Sequence, residues 1–575
     1  MSNVRFHRAL LTAAALSALS TAAIAAPLQP SIPSTVQPGH VEQDLNQKLQ
    51  PQPGAPPVEM TAPAEAQAPA GAEKIVFTLK SVSLTGSNKI KTGKLEQFWQ
   101  GDIGHEISLT RVYEIAGNIT RYYRDHGYIL SRALVPQQEI KDGNVQIQIV
   151  EGFISGYNIQ GPKDLPARKQ IEKYAKKIAS AGTLDSATLE RYLLLMNDIP
   201  GTTVRAIISP SAAVPGGADL TLVPTHRDLQ GTAGIDNYGS SYLGPVRLNG
   251  TLQFNDLFYG QPDQLSVTGL IAPQGGELYY IASGYRHVVN DEGTRVGFDL
   301  DYTHAEPSLH EPLRTLQTNG DAYTARFLAE HPFIRQRAMN LNGDVSFEFG
   351  RERTMYAPAF NTLDTEDDTR VFRLGANGNL LDSWGGYNTI SLQGSQGVVA
   401  LGSTRINDAD KSRAAGDPGF TKFGAEATRL QRIYGPFSAL AGIVGQYSFD
   451  PLLTSEEFAL GGTDYGRGYD ASQITGDHGL GGKVELIYNG GKWSYADNYQ
   501  LYTFYDVGTV WRREPGAGEN RDDSIASTGV GTRTQFTDYL NGDLFVAKPL
   551  TLGVDSRGRS SENDWRVQGA LTTRF

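Results

Sequence analysis

The chain contains no cysteine in its 575 residues. Disulfides, thiolate metal sites and cysteine nucleophiles are therefore excluded together. It has no basic excess either: 51 lysines and arginines stand against 62 aspartates and glutamates, and a net charge of −11 offers no footprint for nucleic acid. Long apolar runs are almost missing. A spanning helix needs about 20 apolar residues in a row, and only Ala9–Ala26 comes near that. With a mean hydropathy of −0.34 the chain is not a helical membrane protein. Enzyme signatures are scarce as well. The ten histidines form no HExxH pair, and there is no Gly-x-Ser-x-Gly elbow. Gly481-Gly482 and Gly529-x-Gly531 lack the strand–helix context of a phosphate cradle. The residues leave open a barrel esterase built on a Ser–His pair, but they point to no catalytic residue, no metal and no cofactor.

What is present begins with Ala9–Ala26. It follows Arg5, His7 and Arg8 and ends in Ala23-Ile24-Ala25, the pattern of a secretory signal peptide. Pro27 disfavours a later cut, so residues 1–25 are expected to be removed. Residues 26–72 form a low-complexity lead. From Pro51 to Ala72 it is mostly Pro, Ala, Gln and Glu, which cannot bury a core and reads as an extended, disordered linker. Within it Val41, Leu45 and Leu49 recur every four residues and suggest a short helix. Such a helix is too short to stand alone, so if ordered it must dock elsewhere.

Residues 73–152 carry a strand ending at Gly86, a short helix around Leu95–Trp99 and a longer helix presenting Leu109, Val112, Ile115, Ile119 and Tyr122. Ser108 can cap that helix and Gly127 can end it. Two strands follow, Tyr128–Val135 and Val145–Val150. Residues 153–226 repeat the order: a strand over Ser155–Gln160, helices through Ile171–Ile178 and Leu189–Met196, then strands around Val204–Ile208 and Asp219–Val223. The pattern is a tandem β-α-α-β-β repeat.

From residue 227 to 575 helical periodicity disappears. The composition is rich in glycine and tyrosine, with 64 and 27 in the chain. Short alternating runs recur between Gly, Asn and Asp clusters. In Arg295–Tyr302 the residues Val296, Phe298, Leu300 and Tyr302 alternate with Arg295, Gly297, Asp299 and Asp301. At roughly 20–25 residues per strand and loop this length gives on the order of 14–16 strands, the pattern of a transmembrane antiparallel β-barrel. A soluble sandwich or propeller would also alternate. Charge confined to one face, aromatic residues near strand ends, and the terminal Phe575 on an amphipathic strand favour the barrel.

The order of parts resembles the outer-membrane transporters of two-partner secretion, the haemolysin-activator type within the superfamily that includes the outer-membrane insertases. The resemblance spans the mature chain. It is carried by Leu193–Gly201 at a helix end, Asp236–Ser240 at the barrel's start, and Asn255-Asp256-Leu257. Gly466-Arg467-Gly468-Tyr469 resembles the superfamily's inner-loop tetrapeptide, with Gly466 where valine is usual. Phe504-Tyr505-Asp506-Val507-Gly508 resembles the partner motif on a barrel strand. The resemblance implies two periplasmic POTRA modules, about 16 barrel strands, and an inward-folded loop whose Arg467 pairs with Asp506. Without it, these would be two charges 39 positions apart. Alternation is compatible with the pairing: if Tyr505 and Val507 face lipid, then Phe504, Asp506 and Gly508 face the lumen.

The function so implied is export of a large exoprotein of haemolysin or adhesin type, bearing an N-terminal secretion domain. A module would capture it unfolded, and the barrel would pass it. An α/β module with an open sheet edge can add a strand from an extended peptide, and Val112, Ile115, Ile119, Ile129 and Val135 are candidate contacts. Further expected partners are the outer-membrane lipid and, through Phe575, the barrel assembly machinery. The alternative is a membrane-protein insertase or assembly factor; a plain channel would not need tandem modules.

Overall fold

A computed structural model describes residues 34, 37–40, 58–60, 67–258, 260–273, 277–307, 318–355, 364–516, 519–551 and 565–575. The expected signal peptide and the Val41–Leu49 helix lie outside the described residues.

Within the lead, β1 (Val58–Met60) is a single short strand. The first α+β unit then begins with β2 (Val76–Thr78) and β3 (Ser81–Thr85). Helix α1 (Thr92–Leu95) continues into two 3-10 turns and leads to β4 (Glu106–Ser108). Next come α2 (Leu109–Asp125), β5 (Arg132–Leu134) and β6 (Asn144–Val150). The sheet order is β3-β6-β5, and a separate two-stranded ribbon joins β2 to β4. The β-α-α-β-β order therefore holds with that ribbon added. Ser108 Oγ accepts the Arg111 N–H at 3.4 Å to cap α2, and Gly127 leaves the helix at φ +89°.

Two expectations for this unit need correction. The strand expected over Tyr128–Val135 shrinks to Arg132–Leu134. Tyr128–Ser131 is a turn, with Ser131 N–H donating to the Tyr128 carbonyl, and Ala133 N–H is taken by Thr120 Oγ1 at 2.9 Å instead of by a strand. Val112, Ile115 and Ile119, offered as peptide contacts, are buried in the unit's core around Leu79, Tyr123 and Ile147. The helical face that periodicity marks is the one this unit uses to cover its own sheet. Val135 is half-buried against the same core, and Ile129 packs against the core of the next unit.

The second unit consists of β7 (Phe153–Ile159), α3 (Arg168–Ala179), α4 (Ser186–Asn197), β8 (Thr202–Pro210) and β9 (Gly217–His226). Asp185 caps α4 through the Thr188 N–H at 2.8 Å. Its sheet runs β1-β8-β9-β7, because the lead supplies a parallel edge strand: Val58, Glu59 and Met60 pair with Ala206, Ile207 and Ile208.

The barrel opens with β10 (Leu229–Asp236), β11 (Arg247–Asn255), β12 (Asp263–Ala272) and β13 (Glu277–Val288). It continues through β14 (Arg295–Glu306), β15 (Asn319–Arg335), β16 (Met339–Met355), β17 (Asp364–Leu381) and β18 (Gly386–Gly397). After β19 (Thr421–Tyr434) and β20 (Phe437–Ser448), a loop carries the small pair β21 (Phe458–Leu460) and β22 (Ile474–Gly476). The wall then resumes with β23 (His478–Trp493), β24 (Ala496–Trp511), β25 (Asp522–Gln535), β26 (Leu540–Pro549) and β27 (Arg566–Arg574). Sixteen antiparallel strands close, with β10 against β27. Closure pairs the backbone groups that lipid could not satisfy. At the seam Phe575 and Gly231 exchange both backbone hydrogen bonds, at 3.0 and 3.2 Å. Leu300, Tyr323, Phe327, Val507 and Leu571 point outward; Asp301, Glu348, Glu485 and Asp506 point in and are buried. Among the described residues no helix is long and apolar enough to cross a membrane.

The second unit docks on two turns of the barrel's near end. In the first, between β13 and β14, the Glu292 carboxylate accepts from Lys177 Nζ at 2.9 Å, Tyr192 OH at 3.0 Å and Arg191 Nη2 at 3.3 Å. Burial alone would raise the Glu292 carboxyl. Lys177, Tyr192 and Arg191 hold it below the ordinary carboxylate range instead. In the second, after β15, Arg335 grips Asp198 with two bonds of 2.7 and 2.6 Å. The expected helix end Asp198-Ile199-Pro200-Gly201 thus lies against the barrel.

Candidate functional site: an arginine clamp in the lumen

The loop 449–477 starts at the barrel end opposite the α+β units and folds back inside. Pairing of β21 with β22 makes it a stiff tongue, and Leu460, Tyr465, Tyr469 and Ile474 pack with Val510 and Ile525 of the wall. At its turn stands Arg467, 3% exposed. Its Nε and Nη2 donate to Asp506 Oδ2 and Oδ1 at 2.9 and 2.6 Å, and its own backbone N–H reaches Oδ2 at 3.1 Å. The Gly466 N–H adds a longer bond to the same oxygen at 3.4 Å. One carboxylate on β24 thus holds the arginine fork and the loop backbone together, fixing orientation as well as charge.

The glycines beside Arg467 have separate reasons. Gly466 sits at φ +124°, and a Cβ there would stand 2.7 Å from Ile525 Cδ1. Glycine at this place, where the resemblance expects valine, therefore matches a backbone that a branched residue resists. At Gly468 a Cβ would meet Ser527 and Pro549 of the wall at 2.8 and 2.9 Å, so the loop approaches too closely for any side chain. Gly508 likewise leaves room for Leu460, whose Cδ1 a Cβ would meet at 2.4 Å. Tyr469 points its hydroxyl at the Ala526 and Thr551 carbonyls, at 2.9 and 2.8 Å. Phe504 lies under the guanidinium, 3.6 Å from ring centre to Cζ. The tetrapeptide and the strand motif are therefore brought together in one place. The five module residues named above are far from it.

Sequence reasoning missed three parts of this arrangement. Glu485 on β23 takes the remaining arm of Arg467 at 2.5 Å and is itself held by Arg533 at 2.9 and 3.0 Å. Its signal was available: Glu485 is a charge at an inward position between the outward Val484 and Leu486. Second, Arg413, from the outer loop 398–420, reaches into the mouth and pairs with Asp477 at 2.8 Å and Glu457 at 3.0 Å at the base of the tongue. Third, Arg373 on β17 bridges Glu348 and Glu456 at 2.9 and 2.7 Å, with Lys422 also on Glu456 at 2.7 Å. The tongue is thus tied by arginines at its tip and, twice, at its root. The lead enters this space as well. Ser34 donates to the Ser472 carbonyl at 2.5 Å, and Gly39 sits so close to Glu352 that a Cβ would stand 2.7 Å from Oε2. Among the described residues no cluster of His, Cys, Asp and Glu is arranged to hold a metal ion.

A closed membrane barrel whose lumen holds its own clamped tongue, preceded by two α+β units at one end, defines a class: an outer-membrane protein-conducting transporter with periplasmic modules. The family model for haemolysin secretion/activation proteins of the ShlB/FhaC/HecB type matches residues 216–534, and that for the ShlB-type POTRA domain matches residues 77–152. The chain belongs to the ShlB/FhaC/HecB family of two-partner secretion transporters. It is 23% identical over 491 residues to the heme/hemopexin transporter protein HuxB of Haemophilus influenzae strain 86-028NP, covering 84% of this chain and 86% of that protein. It is 23% identical over 490 residues to the outer membrane transporter CdiB of Dickeya dadantii, covering 83% of each. Its fold is similar to that of CdiB from Escherichia coli, with a TM-score of 0.71 at 19% identity over 95% of this chain and all of that one. The barrel stands in the outer membrane and serves export of a secreted partner protein.

Proposed function

We propose that the chain captures its unfolded partner in the periplasm through two POTRA modules, residues 73–152 and 153–226, and passes it through the barrel 227–575 once the tongue releases. The observation that carries this reading is the lumen itself, filled by a loop whose tip is held through Arg467, Asp506 and Glu485 beside a small apolar contact with Val510 and Ile525 of the wall. Such a polar clamp is a closure that can be undone, because water can replace each of its bonds. Capture falls to the sheet edges, since the helix faces are spent on the cores. The β8 edge is already paired with β1 and the Ala133 N–H of β5 is already taken by Thr120 Oγ1, whereas β3 borders the first sheet and β7 the second. An extended segment of the cargo adding to one of those edges would gain affinity from main-chain bonds alone. The chain performs no catalysis in this scheme, and folding of the cargo outside the cell supplies the drive. Cargo of haemolysin or adhesin type fits the family.

The test is co-expression with a large exoprotein encoded beside the gene, comparing secretion by wild type, Arg467→Ala and Asp506→Ala. Loss of export with intact barrels in the membrane supports the reading. Unchanged export in both variants removes the clamp from the mechanism. Loss of other barrels from the membrane, with export intact, would favour an assembly factor.

A further inference from the structure

The outer wall has a feature that export does not use. On the far half of the barrel, away from the α+β units, a groove of about 570 Å³ crosses the strands from β12 to β17. Its floor is one register row: Val267, Ser283, Leu300, Ala325, Phe349 and Arg370 lie opposite one another from strand to strand. Ser283 and Ala325 are small, and the rows on either side are not. Phe298, Phe327, Phe347 and Phe372 form one bank, and Tyr302, Tyr323 and Arg351 the other. At about 4.8 Å between strands the row is about 24 Å long. Because the strands tilt by roughly 40°, it climbs from the apolar belt to the outer rim.

The rim end is charged, on the lipid side of the wall. Phe372, Leu374 and Leu380 mark the apolar belt on β17; Arg370, Asp368 and Glu366 follow them outward. On β16 the same change falls between Phe349 and Arg351. Arg370 is fixed in place, its guanidinium over the Phe349 ring and bonded to the Gly350 and Leu401 carbonyls. Arg351 gives Nε and Nη2 to Asp368, and Arg353 gives only Nη2 to Asp364. Asp368, Asp364 and Glu366 (3.5 Å from Arg351 Nη2) orient the forks, and among the described residues Nη1 of Arg351 and Nε and Nη1 of Arg353 donate to none of them. The two side chains are 55% and 47% exposed. An apolar trough in a membrane wall, ending in exposed guanidinium donors at the interface, is complementary to an acyl chain carrying a phosphate.

We infer that this groove seats one acyl chain of a phosphorylated lipid of the outer leaflet, with its phosphate on Arg351 and Arg353. The probe is bisphosphorylated lipid A added to the full chain in detergent, with retained lipid counted by native mass spectrometry. Wild type is expected to retain lipid A. Arg351→Gln/Arg353→Gln should cut retention at least fivefold, and so should Ala325→Trp, which fills the floor without touching charge. Lys492→Gln, at the opposite rim, should leave retention unchanged. Heat-modifiable migration on gels identifies variants whose barrels have closed, and only those are compared. Equal retention by wild type and both groove variants overturns the site. Equal retention by wild type of lipid A stripped of its phosphates overturns the head-group assignment.

Discussion

Asp506→Ala tests the clamp most sharply, because Asp506 accepts every bond that ties the tip of the tongue to β24: two from the guanidinium and two from loop N–H groups. Removing one partner of a buried ion pair costs about 3–5 kcal/mol, mostly from leaving the other charge uncompensated. Here Glu485 still faces Arg467 and the Phe504 ring still underlies it, so the low end, about 3 kcal/mol, is expected. That shifts the balance between docked and released tongue roughly 150-fold. Asp506→Asn keeps one oxygen to accept from the loop N–H groups and Arg467 Nε, but it loses the charge and turns an NH2 group toward Arg467 Nη2, where an acceptor stood. It should cost about half as much, near 1.5 kcal/mol. Single-channel conductance in planar bilayers reads the released state directly, as long-lived openings graded wild type, Asn, Ala. Urea unfolding of the barrel, followed by heat-modifiable migration, reads whether the wall suffers too. If the Ala variant opens no more often than wild type and unfolds at the same urea concentration, the pair holds nothing and the reasoning fails.

Two further outcomes follow from other contacts. Gly466→Val restores the residue usual in related loops, yet at φ +124° and against Ile525 it should weaken docking by about 1–3 kcal/mol; a Gly466→Val channel as quiet as wild type would refute the strain. Glu292, held below its ordinary range after its neighbours outweigh burial, contributes to docking of the second unit above the pKa of a free glutamate, about 4.3. That contribution is lost as pH falls through its depressed value. The raised Lys177 loses its share only far on the alkaline side. Since the chain has no cysteine, spin labels at Ser180→Cys and Ala338→Cys report the gap without background. Pulsed EPR should show the distance distribution broadening in acid, and already at neutral pH in Glu292→Gln.

Much of this architecture is legible in the sequence. Alternation along Arg295–Tyr302 or Phe504–Val507 is a strong signal because lipid on one side and water on the other leave each position a single choice. Helix ends were marked by Ser108 and Gly127, whose caps are local. Other features were hidden for physical reasons. Periodicity shows which face of α2 is apolar but not what covers it, and the unit's own sheet claims Val112, Ile115 and Ile119. The pairing of β1 with β8 uses backbone groups, so three residues in a proline-rich stretch carry no side-chain pattern for it. Arg413 sits in a loop whose composition reads as solvated surface. Only the fold brings Asp477 and Glu457 to it across more than 40 positions.

The short β1 strand has one more consequence. Gly39 and His40 lie in the lumen, and Val58 is fixed to the second unit's sheet. Eighteen peptide steps separate His40 from Val58, and at full extension they reach at most about 60 Å. The lumen segment is therefore on a leash anchored outside the pore. Were it to leave the lumen, its return would be an intramolecular event that needs no second molecule.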